Sequence, residues 1–227
     1  MGVAQAGIAF RSGEESFTPE LAVASLFGKS VNRLSAPIDR SFDSRHDHHV
    51  LVQQFGDIWI ISNHALVWPI LENPEHDLCG LHEILDKPAL MIAFCQYDSG
   101  DSYGYALIED GVLTRSRLQA SGSDVRLFGV TKPFEQKWET AEFYLDEDDC
   151  PEEEWQKVYY LDDRKVTVPE YYLTSRLAYE ALTENFGVCP WESDLKPNIW
   201  YLQLNEESVQ CTSAPGMKVR KPWWKVW

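Results

Sequence analysis

Positive charge is scarce in this chain of 227 residues: 20 Lys and Arg stand against 36 Asp and Glu, a formal net charge of −16. Nucleic-acid binding needs clusters of cations to meet phosphates, and residues 1–216 never place more than two side by side. That function class is excluded for the body of the protein. Cysteine is also sparse. The five, Cys79, Cys95, Cys150, Cys189 and Cys211, are odd in number and widely spaced, with no C-x-x-C. The pattern fits reduced thiols in a cytosolic chain rather than a disulfide framework or a zinc site. No stretch approaches 18 apolar residues, so no membrane-spanning helix is expected. The opening MGVAQAGIAF lacks the basic start of a secretory signal, and Ala6 stands where a myristoylation motif wants Ser or Thr. Catalytic signatures are missing too, with no G-x-G-x-x-G, Walker-type or G-x-S-x-G sequence.

The chain is rich in aromatics, at 13%, which points to a core dominated by large rings. Its length suits one large domain or two small ones, and a chain this long needs no metal or disulfide to fold.

Local signals place most elements. Val3–Phe10 reads as a strand. Thr18-Pro19-Glu20 starts a helix that Gly28 can end. Residues 31–49 are polar and irregular. Val50–Gln54 and Ile58–Ser62 form a hairpin around Phe55-Gly56-Asp57, and Asn63 caps a helix over 65–71, strained by Pro69. Ala89–Tyr97 reads as a central strand. Ser102–Leu118 alternates around Asp110-Gly111, a strong hairpin turn because Gly accepts positive φ. A further hairpin pairs 158–161 with 165–168. The best helix opens at Pro169, with Leu173, Leu177, Ala178, Ala181, Leu182 and Phe186 on one face and Gly187 as its stop. Residues 198–204 and 208–212 read as a last pair of strands.

These elements predict an α+β fold: a mostly antiparallel sheet built from hairpins, with two or three helices packed on one face. Residues 1–214 form a single domain, with a two-lobed split near 88–120 as the alternative. Residues 215–227 form a separate basic, Trp-rich tail.

Candidate chemistry is thin. Asp43-Ser44-Arg45-His46-Asp47-His48-His49 holds metal-type ligands, but two imidazoles on one extended face are too few. It reads as a polar loop. Asp98-Ser99-Gly100-Asp101 offers paired carboxylates made of turn-forming residues, and reads as a turn. Arg11–Ser16 precedes a helix start but carries two acids, which repel phosphate. Cys95 falls in an apolar strand, where a buried inert thiol is expected. No cofactor and no metal are expected.

Two segments stand out. Asp146–Glu154, DEDDCPEEE, holds seven acids and no base. Met217–Trp227, MKVRKPWWKVW, carries +4 with no acid, so residues 1–216 carry −20. The candidate partner-binding residues are therefore Asp146, Glu147, Asp148 and Asp149 on one side. On the other are Lys218, Arg220, Lys221, Trp223, Trp224, Lys225 and Trp227. Exposed indoles call for a cover. The tail can fold back on the acidic stretch, dock in a partner's groove, or lie on an anionic membrane. Pro222 argues against a helical anchor.

The resulting expectation is a non-enzymatic, acidic, cytosolic binding protein, with an immunity-type neutraliser of a basic partner as one form. The alternatives are a metal-assisted hydrolase using His46, His48 and Asp98, and peripheral membrane association through the tail.

Overall fold

The computed structural model describes residues 2–12, 17–37, 42–146, 155–161 and 166–208. Its centre is a nine-stranded, wholly antiparallel sheet. In chain order the strands are β1 (Ala4–Arg11), β2 (Lys29–Leu34), β3 (His49–Phe55), β4 (Ile58–Ser62), β5 (Leu90–Tyr97), β6 (Ser102–Glu109), β7 (Val112–Gln119), β8 (Arg126–Gly129) and β12 (Asn198–Ser208). They lie side by side as β2-β12-β3-β4-β1-β5-β6-β7-β8. A second sheet has the order β11-β10-β9, from β9 (Glu142–Asp146), β10 (Gln156–Tyr160) and β11 (Thr167–Pro169). The helices are α1 (Pro19–Phe27), α2 (His64–Glu72), α3 (Cys79–Ile84), α4 (Pro133–Glu139) and α5 (Leu173–Phe186).

The α+β class holds, but the helices number five and cover both faces of the sheet, not one. The central strands show why. In a strand alternate residues face opposite sides. Ile8, Phe10, Met91, Ala93 and Cys95 pack with α1, α2 and α3 in one core cluster. Ala9, Ile60, Ile92, Phe94, Tyr105 and Leu107 pack with α4 and α5 in the other. Strands that are apolar on both sides must be covered on both sides. Among the described residues no helix is long and apolar enough to cross a membrane.

Several local signals act as read. Gly28 ends α1 at φ 59°, and Gly187 ends α5 at φ 73°. Asn63 accepts from the Ala65 amide at 2.9 Å and also donates to the carbonyls of His46 and His49, so one cap pins the histidine loop. Thr18 contributes no side-chain cap; its carbonyl accepts from Ala22 instead. Other readings are corrected. Residues 29–34 form β2 beside β12, although their sequence is polar, because an edge strand needs no apolar face. The helix assigned to Pro169 begins at Leu173, after a 3-10 turn over Glu170–Tyr172. The strand read over 198–204 continues to Ser208; the second strand read over 208–212 lies, beyond Ser208, outside the described residues. Residues 126–146, where no sequence signal above marks an element, form β8, α4 and β9.

The β8 edge depends on a glycine. Gly129 pairs with Arg115 at φ 76°, and a Cβ built there would sit 2.0 Å from the Thr114 carbonyl oxygen. Replacing Gly129 with Ala is expected to cost on the order of 2 kcal/mol, from steric overlap and backbone strain. Chemical denaturation checks the loss, and faster hydrogen exchange of the β8 amides locates it. Unchanged exchange in β8 would refute this account.

Candidate functional site

The end of β7, the start of β10 and the turn before α5 border an open cleft of about 550 Å³. Its side-chain wall is made of Asp101, Gln119, Ser121, Asp124, Gln156 and Tyr171, with no Lys or Arg among the lining residues. Four separate chain segments supply it. Asp101 closes the 3-10 turn Asp98–Gly100 in a left-handed conformation, φ 41°, and leads into β6. Gln119 is the last residue of β7, paired with Tyr103. The loop after it closes through a Ser123 amide donating to the Ala120 carbonyl at 3.0 Å. Gln156 opens β10, and Tyr171, half exposed, lies in the turn before α5.

The charged groups among the lining residues are the Asp101 and Asp124 carboxylates, beside the amides of Gln119 and Gln156 and the hydroxyls of Ser121 and Tyr171, which can both donate and accept. Tyr171 offers an aromatic face, and ring faces attract cations. Behind the wall Tyr103 and Tyr172 meet edge to face at 5.4 Å. The Tyr103 phenol is pushed up to about 12, by burial first and then by the charges of Asp98 and Asp101. The local field is thus negative. Such a site suits an ammonium or guanidinium group carrying several N–H donors.

The acidic stretch starts at the same place. Asp146 ends β9 directly across from Gln156, one of the lining residues, and residues 147–154 lie outside the described set. The β9 strand is itself an uncovered edge: Phe143, Tyr144 and Leu145 are 49%, 48% and 42% exposed. Natural edges are usually blunted by Lys, Pro or a cover. Here the edge presents apolar side chains and runs straight into acids.

The other sequence candidates fall as follows. Of the acidic partner-binding residues, Asp146 is exposed at the end of β9, while Glu147, Asp148 and Asp149 lie outside the described residues. So do Lys218, Arg220, Lys221, Trp223, Trp224, Lys225 and Trp227. In the histidine loop, His64 pairs with Asp47 at 3.3 Å, and the His46 and His49 rings stand 5.6 Å apart. Asp98 accepts from the Val3 amide and the Gln96 side chain, both at 2.7 Å, and so fastens β1 to β5. Among the described residues no three His, Cys, Asp or Glu side chains gather as a metal site would require. Arg11 pairs with Asp57 at 2.6 Å. The Cys95 thiol is pushed up by burial, and that of Cys189 to about 12 for the same cause, so neither supplies a thiolate near neutral pH.

Gln119, Asp124, Gln156 and Tyr171 were not among the sequence candidates. Ser121-Gly122-Ser123-Asp124 looks like any loop, and no spacing links it to Asp101 or Tyr171. Compared with known proteins, the chain matches no family model, no curated protein and no solved structure.

Proposed function

We propose that this chain is a non-enzymatic binding protein that takes a basic protein partner on its acidic end. The observation that carries the reading is the open cleft whose lining holds Asp101 and Asp124 and no Lys or Arg, in a chain that places seven acids in nine residues at 146–154. A partner's Lys or Arg enters the cleft and meets Asp101 and Asp124. Its apolar side chains cover Phe143, Tyr144 and Leu145, and further cations meet the acidic connection. Neutralising a basic protein, as an immunity protein does, is one form of this role. A reducing, cytoplasmic setting accords with it, since five widely spaced cysteines without a C-x-x-C fit reduced thiols.

The test uses a fluorescently labelled oligolysine peptide and anisotropy. The intact protein is expected to bind it at low salt and to lose it as salt screens the charges. The paired substitution Asp101→Asn with Asp124→Asn is expected to weaken binding about tenfold, or roughly 1.4 kcal/mol. Absence of binding at low salt, or equal binding by the variant, sinks the proposal.

A further inference from the structure

Two arginines stand two residues apart on one face of β7, and the fold treats them differently. Arg115 is 4% exposed and engaged through every nitrogen, to both Glu135 oxygens and to the carbonyls of Phe128 and Gly129. Arg117 is half-buried and makes one hydrogen bond, from its Nε to the Thr174 hydroxyl at 2.9 Å. A guanidinium carries five N–H donors. The donors of both terminal nitrogens therefore have no acceptor among the described residues.

The missing partner is also a missing charge. The chain holds 36 acids, yet among the described residues none forms an ion pair with Arg117. The charge of Glu135 reaches it. Both Glu135 oxygens are already taken, by Arg115, the Tyr105 hydroxyl and the Lys132 amide. Arg115 and Glu135 cancel, which leaves Arg117 as the uncompensated cation of this cluster. Burial is the largest influence on the Arg117 guanidinium and lowers it, because the charged form has lost water without gaining a counter-ion.

The surroundings suit an anion. Thr174 is 0% exposed and lies in the first turn of α5, whose N-terminal end carries partial positive charge. Tyr105 and Leu127 stand in register on either side of Arg117, so no acid flanks it in the sheet. Tyr159 of β10 feels the Arg117 charge, and the acid beyond it, Glu170, accepts from the Tyr159 hydroxyl at 3.2 Å and faces Lys157 at 3.9 Å. The enclosed side-chain atoms without partners are, among the described residues, oxygens of Gln5, Gln53, Ser62 and Gln119. The Arg117 nitrogens are not among them, so they keep contact with solvent.

We propose that Arg117 is an anion site. Its two terminal nitrogens take two oxygens of a ligand's phosphate or carboxylate side by side, while Thr174 holds the guanidinium plane through Nε. The site is separate from the Asp101 and Asp124 cleft, whose lining does not include Arg117, and it does not depend on a basic partner.

Phenylglyoxal labelling of the unaltered protein, read residue by residue by mass spectrometry, tests this directly. Inorganic phosphate and acetate are added in separate arms at about 10 mM, with ionic strength held constant by chloride. At a dissociation constant of about 1 mM, the bound ion slows Arg117 labelling about tenfold. Labelling of Arg126, exposed on β8, should not change. Protection in one arm or both supports the site and shows which oxyanion it takes. Protection in neither arm overturns the inference. So does an Arg117 that never labels, because its nitrogens are then closed to solutes. A second measurement is the melting midpoint, which the protecting ion should raise by about 3–5 °C. Arg126→Gln should keep that rise and Arg117→Met should lose it. A rise retained in Arg117→Met also overturns the site. The labelling needs no variant, so it decides even where Arg117→Met does not fold.

Discussion

Changing Arg115 to Met will destabilise the fold by about 3–5 kcal/mol. Arg115 is 4% exposed and Glu135 2% exposed, on β7 and α4. The Arg115 guanidinium donates to both oxygens of Glu135, at 2.8–3.1 Å, and through Nη1 to the carbonyls of Phe128 and Gly129 on β8. Glu135 also accepts from the Tyr105 hydroxyl and, at 2.7 Å, from the Lys132 amide at the start of α4. One buried ion pair therefore joins β6, β7, β8 and α4. Removing the cation leaves a carboxylate in a dry site, which costs more than the pair itself contributes. Changing Glu135 to Leu as well removes that orphan charge, so the double variant should recover part of the loss. Full recovery is not expected, because the Tyr105 hydroxyl and the Lys132 amide would then lack an acceptor. Denaturant melts of the two single variants and the double one measure the coupling. A loss below about 1 kcal/mol for Arg115→Met would show that the pair is solvated in solution and would refute this account.

Raising the pH from 10 to 12 will unfold the protein in one cooperative step. Tyr97 and Tyr103 are pushed up to about 12, in both cases chiefly by burial. Tyr105 is raised as well, by burial and then by the charge of Glu135. All three rings are inside, at 8%, 2% and 0% exposure. The folded state holds these phenols protonated, whereas the unfolded chain releases the protons near the ordinary value of 10. Their contribution is complete below pH 10 and is lost as the pH rises toward the folded values. Each such group costs about 1.4 kcal/mol per pH unit across that window. Three groups over two units give roughly 8 kcal/mol, comparable to the whole stability of an ordinary domain. The buried phenols should appear as tyrosinate absorbance only together with the loss of circular dichroism. Tyrosinate appearing from all ten tyrosines while the fold persists would sink the prediction.

Elements governed by near neighbours were legible in the chain. The Asp110-Gly111 hairpin needs only a residue that tolerates positive φ, and Gly111 sits at φ 78°. The cap at Asn63 and the apolar face of α5 likewise depend on residues within a few positions. The five helices on two faces were less legible, although the evidence lay in β1 and β5, whose adjacent residues are both apolar. No element was legible over residues 126–146, because the stability of that region comes from far away. Its β8 residues are all exposed, and α4 is held by Arg115 and by Glu180 of α5, which accepts from the Trp138 indole at 2.9 Å. No periodicity within the region announces those partners.

The candidate site divides in the same way. Its charge was plain from Asp146–Glu154 and from the basic segment 217–227, because net charge is a sum over residue types and needs no geometry. Its place was not. Asp101, Gln119, Gln156 and Tyr171 stand far apart along the chain and meet only because the fold brings the paired start of β6 and end of β7 beside the start of β10, in the other sheet, and the turn before α5. The sequence by itself determined the α+β class, the strong acidity and the presence of one opposing basic segment, since these follow from composition and short-range pattern. The tertiary structure alone decided that both sheet faces are covered and that Asp101 and Asp124 meet at one open cleft, because strand order and register are set by packing across the whole sheet.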